Sequence, residues 1–73
     1  MSYHEALMEV MIPGMEYTTG QLADALLEGT EDPERRRRQV RSAVLHTLTI
    51  DAKYGIIEIV RRHAHGNTWR RIA

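Results

Sequence analysis

The sequence predicts an α+β domain in which three helices are followed by a C-terminal β-hairpin. Three observations predict it. Ser2 with Glu5, and Thr18 with Gln21, have the spacing of helix capping boxes. From Pro33 to about Lys53 no helix breaker occurs, and apolar and polar residues separate at helical spacing. After Gly55 the chain turns to β-branched residues with alternation, "IIEIVRRHAHGNTWRRIA".

The elements follow in order. Tyr3, Leu7, Val10 and Met11 recur at helical intervals, with Ala6 beside them, and predict a first helix over 3–11 that Pro13-Gly14 ends. Met15–Tyr17 is a candidate for a short extended piece. Thr18 as N-cap and Gln21 at N3 open a second helix over 19–28, and Tyr17 and Leu22 stand where a hydrophobic staple would sit. Its expected buried stripe is Leu22, Ala25 and Leu26, and Gly29 suits the residue just past the end. Asp32-Pro33 then reads as an N-cap followed by proline at the first helical position.

At about 100° per residue, the third helix, 33–53, gathers Val40, Ala43, Val44, Thr47 and Leu48 on one side. Arg35, Arg38, Gln39, Ser42, His46, Thr49 and Lys53 gather opposite, with no acid among them. The hairpin strands are expected over 56–64 and 68–72, joined by a type II′ turn at Gly66-Asn67 or by a loop two residues longer, which leaves the register open. Trp69 is expected to pack in the core or against the hairpin.

Seventy-three residues predict one domain, 1–73, with a modest core. There is no cysteine, so disulfides and thiolate metal sites are excluded. No run is long and apolar enough to span a bilayer, and no signal-peptide pattern opens the chain, so the expectation is a cytoplasmic protein, or a virus-encoded one acting in the host cytoplasm. No glycine-rich phosphate loop and no Ser-His-Asp spacing are present, so neither an enzyme nor a bound cofactor or small-molecule ligand is expected. His63-x-His65 could face one side of a strand, with His46 as a third ligand, but the set is incomplete and no metal site is expected.

The formal net charge is zero, and its distribution is the informative part. Residues 1–34 carry eight acids and no Lys or Arg, a formal −8. Residues 35–73 carry all nine arginines and Lys53 against Asp51 and Glu58, a formal +8. Such a split points to a polyanionic partner, or to neutralisation of one half by the other within the fold or across a dimer.

Four consecutive arginines, Arg35–Arg38, sit at a helix start, where a cation costs about 0.3–1 kcal/mol. Glu31–Arg35 and Glu34–Arg38 have favourable i,i+4 spacing, which quiets two of the four. Because neighbours point about 100° apart, Arg35 and Arg38 are expected outward, with Arg36 and Arg37 on the flanks.

Helix, extended piece, helix, helix, hairpin is an element order that resembles the winged helix-turn-helix DNA-binding superfamily. The residues that carry the resemblance are "YTTGQLADAL", "RRRRQVRSAVLHTL" and "GIIEIVRRHAHGNTWRRI". The "EGTEDP" connection is longer than the tight turn of simple helix-turn-helix proteins. The resemblance implies a three-helix fold with a β-hairpin wing, the third helix in the major groove and the hairpin tip on the DNA backbone or minor groove. It also implies a double-stranded DNA partner and a small transcriptional regulator of prokaryotic, archaeal or viral type.

The residues supply candidates for that interface. Arginine reads guanine and glutamine reads adenine, each bidentately, and serine serves either, which makes Arg35, Arg36, Arg38, Gln39, Arg41, Ser42 and His46 candidates on the helix. Arg61, Arg62, Arg70 and Arg71 are candidates for phosphate on the hairpin. Thr18 and Thr19 begin a helix, whose free N–H groups suit phosphate. One Trp, three Tyr and no Phe offer no stacking platform for single strands. A homodimer through the first helix, at Tyr3, Leu7 and Met11, is compatible with this reading. The alternative is a protein–protein module that docks through its acidic and basic surfaces.

Overall fold

A computed structural model describes residues 2–64 and 66–73. The elements run α1 (Tyr3–Val10), β1 (Glu16–Thr18), α2 (Thr19–Leu27), α3 (Pro33–Lys53), β2 (Ile57–His63) and β3 (Gly66–Arg71). The three strands form an antiparallel sheet in the order β1-β3-β2, which with the three helices is the α+β layout of a winged helix.

Local signals place the helix starts. Ser2 Oγ accepts the Glu5 N–H at 3.2 Å. Thr18 Oγ1 accepts the Gln21 N–H at 3.1 Å while the Gln21 side chain accepts the Thr18 N–H at 2.9 Å, so the capping box is complete. At the other end of α3, Gly55 takes φ 78°. Its N–H donates to Ala52 and that of Ile56 to Asp51, the two bonds of a Schellman stop.

Asp32 stands at the N-cap of α3 as expected, but its side chain caps nothing. A following proline steers a residue away from the α region toward an extended one. Asp32 instead takes the left-handed one, φ 54° and ψ 59°, which aspartate tolerates better than most residues.

The buried apolar residues make one cluster: Leu7 and Met11, then Leu22, Ala23 and Leu27, then Val40, Val44 and Leu48, with Ile57 and Trp69 from the sheet. The inner side of α3 is the side its periodicity selects. In α2 the stripe is rotated from the expected Leu22, Ala25, Leu26 to Thr19, Leu22, Ala23, Leu27. A nine-residue helix offers two such stripes, and α2 must meet both α3 and the sheet. Leu26 still lines the seam with Tyr3 and Ala6 of α1.

Burial narrows what the first helix could offer a second copy. Leu7 and Met11 lie inside the chain's own core, and only Tyr3 of the three is exposed. An interface through that stripe would have to open the core.

The wing departs from the expected turn. Gly66 and Asn67 are not the turn; they pair with His63 and Arg62 as part of β3. Trp69 faces the core between Tyr17 of β1 and Ile59 of β2, and Val60 is an unpaired bulge before Arg61 meets Thr68. This pairing puts Ile57 and Ile59 on the core face with Trp69, and that shared burial outweighs the turn preference of Gly-Asn.

Candidate nucleic-acid interface

A helix of 21 residues rises about 31 Å, longer than this small core can cover. Residues 33–39 of α3 are all exposed, and Val40 is the first to be buried. The arginine run therefore sits on an exposed helix start, with Arg37 turned toward α2. Arg35, Arg38, Gln39, Ser42, Ala43 and His46 line one shallow trough along it. The structure thus gathers five of the expected contact residues on one acid-free surface.

The neighbouring arginines have other neighbours. Arg37 pairs with Asp24 of α2 and lies 3.6 Å from Glu34. This replaces both expected pairs: Glu34 meets Arg37 rather than Arg38, and Glu31 does not close on Arg35. Arg36 is exposed beside Arg35, with Glu31 and Asp32 bordering the same hollow. Among the described residues, Arg35, Arg36, Arg38, Arg61 and Arg62 close no ion pair.

Two expected phosphate contacts in β3 are instead engaged by the fold. Arg70 stands in register between Glu16 and Glu58, and its Nε donates to Glu58 Oε1 at 2.7 Å. Arg71 reaches under the sheet and donates from Nη1 to the carbonyls of Met8 at 2.8 Å and Met11 at 3.0 Å. The carbonyls at the end of α1 lack helical partners, and a guanidinium satisfies them and complements the negative end of the helix dipole. A residue sixty positions away in sequence supplies that cap, so local reading could not find it.

The start of α2 is likewise divided. Thr18 is exposed and serves the cap. Thr19 is 1% exposed, and its hydroxyl is occupied within the protein, which removes its side chain from any external contact. Thr18, Thr19, Gly20, Arg41, His63, Gly66 and Asn67 border a cleft of about 320 Å³ between α2, α3 and the wing. Arg41 points into this cleft and not into the α3 trough. His63 and Asn67 belong to the hairpin's polar tip, and that they and Gly66 meet the start of α2 is visible only in the folded sheet.

The bulge at Val60 sorts the two remaining wing arginines. Arg61 stands opposite Thr68, and Arg62 stands opposite Asn67, in the row nearer the helices. Without the extra residue the two would exchange sides. His63 Nε2 lies 2.8 Å from Thr68 Oγ1. His65, the other half of the His-x-His pair, lies outside the described residues. Among the described residues no group of three His, Cys, Asp or Glu could hold a metal ion, and no helix is long and apolar enough to cross a membrane.

One titratable pair lies away from this surface. Asp51 on α3 is 5% exposed, and its Oδ2 lies 2.8 Å from His4 Nδ1. It ties the start of α1 to the end of α3 and serves the fold.

Comparison of the chain with protein-family models, with curated proteins and with solved structures finds no match. The functional reading therefore rests on the residues and their geometry.

Proposed function

We propose that this protein binds double-stranded DNA as a small winged-helix regulator of transcription. In this reading α3 enters the major groove with Arg35, Arg38, Gln39 and Ser42, and His46 lies deeper along the same trough. Arg61 and Arg62 meet phosphate from the wing, and Arg36 does so from the flank of the helix.

The observation that carries the reading is the exposed start of α3. Three arginines there are exposed and unpaired among the described residues, on a helix end that the chain's own core leaves uncovered. Cations at a helix start are locally unfavourable. An external polyanion offsets that cost, and recognition helices commonly present their N-terminal part to base edges. Glu31 and Asp32 border the flank of this helix start beside Arg35 and Arg36, but no acid lines the trough itself.

Fluorescence anisotropy against a labelled duplex, titrated with salt, tests the proposal. Affinity is expected to fall along a log–log line with a slope near −0.9 for each phosphate neutralised. Absence of binding at about 50 mM salt overturns it. Salt-sensitive self-association without DNA affinity would favour docking through complementary charged surfaces instead.

A further inference from the structure

We propose that the Thr19 hydroxyl, with Arg41 beneath the wing, forms a joint that sets the angle of the wing to α3, so that Thr19 is a positioning residue for the interface. The inference rests on the DNA-binding reading for its consequence, but the joint itself is a property of the free protein.

A threonine in the first turn of a helix commonly serves the cap, but Thr18 and Gln21 already complete that capping box. Thr19 is buried instead. A hydroxyl has one donor and two acceptor sites. Thr19 Oγ1 accepts the Trp69 indole N–H at 2.9 Å and donates to the Asn67 carbonyl at 3.3 Å. One atom of α2 thus holds both the core-facing anchor of β3 and its backbone two residues nearer the tip.

Gly66 closes the joint from the wing side. It takes φ 140°, and a Cβ there would lie 3.2 Å from Arg41 Nη2 and 3.5 Å from Thr19 Oγ1. The backbone of the wing therefore rests directly on a side chain of α3 and a side chain of α2. A Cβ on Gly20 would lie 3.8 Å from Arg41 Nη1, so the guanidinium sits between the first turn of α2 and the wing. Arg41 belongs to this support, whereas Arg38 belongs to the trough.

The consequence follows from how a hairpin behaves. Two strands alone are marginally stable, and residues 61–64 near the tip are exposed. A wing free to swing must be ordered when it binds, which weakens its contribution. A wing pinned at Thr19 offers Arg61 and Arg62 at a set distance from α3, so both surfaces can meet one duplex together.

The test compares salt slopes of DNA binding for wild type, Thr19→Val, Thr19→Ser, an Arg61→Ala/Arg62→Ala variant and its combination with Thr19→Val. Circular dichroism checks that each is folded. Thr19→Val keeps the shape and removes the hydroxyl. It is expected to flatten the slope by about 2, one unit per wing arginine, as the double variant does, and the combination is expected to flatten it no further. Thr19→Ser is expected to keep the wild-type slope. A folded Thr19→Val with the wild-type slope, or one whose effect adds to that of the wing arginines, overturns the joint.

Amide exchange in the free protein separates this from the DNA reading. Thr19→Val is expected to speed exchange across 66–69 while α3 keeps its protection, whether or not wild type binds DNA, and unchanged exchange in the wing overturns the proposal. If Thr19→Val does not fold, Arg41→Ala makes the test from the α3 side, because it removes the guanidinium that lies against Gly66. It is expected to show the same local loss of protection, and full protection there counts against the joint.

Discussion

The first two turns of α3 and the last strand of the sheet are both rich in arginine, yet the fold treats them differently. Arg35, Arg36 and Arg38 stand exposed at a helix end that no core covers. Arg70 lies between two glutamates, and Arg71 caps the end of α1. A guanidinium beside a carboxylate or beneath free helix carbonyls is already complexed. Counting arginines in a segment therefore overstates its footprint on a partner, and their neighbours decide which remain available.

The contrast is open to direct attack. The largest effect is expected on stability from Arg71→Ala, which strips two charge-assisted bonds from α1. Each such bond contributes about 1.5–3 kcal/mol when fully protected, and Arg71 is half-buried. A loss of about 2 kcal/mol would lower the melting temperature by on the order of 10 °C in so small a domain. Arg38→Ala is expected to stay within about 0.5 kcal/mol of wild type, as exposed positions do. Equal melting curves for the two variants would erase the distinction.

On the DNA side the order is expected to reverse. Arg38→Ala should reduce the magnitude of the salt slope by about 1 if it grips phosphate, or lose one target sequence selectively if it reads a base. Arg70→Ala should change the slope by less than half as much, because Glu58 holds the side chain. Glu58→Gln is the sharper variant: by releasing Arg70 it should steepen the slope. An Arg70→Ala effect equal to that of Arg38→Ala would place the strand on the interface after all.

The smallest effect is expected from Asp24→Ala. The pair with Arg37 is about half exposed on both sides, and such pairs contribute about 0.2–1 kcal/mol. Stability should fall slightly, while DNA affinity at low salt should rise a few-fold as Arg37 returns to solvent. A fall in affinity would mean that Asp24 holds α3 in its binding pose and does not merely occupy a cation.

Much of this architecture is legible in the residues. Capping pairs act over three positions, and the Pro33 start, the Gly55 stop and the inner stripe of α3 are set by dihedral preference and helical period. The trough of Arg35, Arg38, Gln39, Ser42 and His46 is readable for the same reason, since one helix carries all of it. The wing is less legible. Gly66-Asn67 has the composition of a tight turn, but both residues pair within β3, and the extra residue at Val60 exchanges the sides of Arg61 and Arg62.

Short-range rules thus settled three helices, a hairpin and a basic helix face before any tertiary contact was known. Only the folded chain decided that Arg37, Arg70 and Arg71 are bound internally, that Leu7 and Met11 are core, and that Thr19 is a buried link and not a cap. Each of these depends on a partner far along the sequence, such as Asp24, Met11 or Trp69. Periodicity assigns a residue to a face, and packing decides what that face meets.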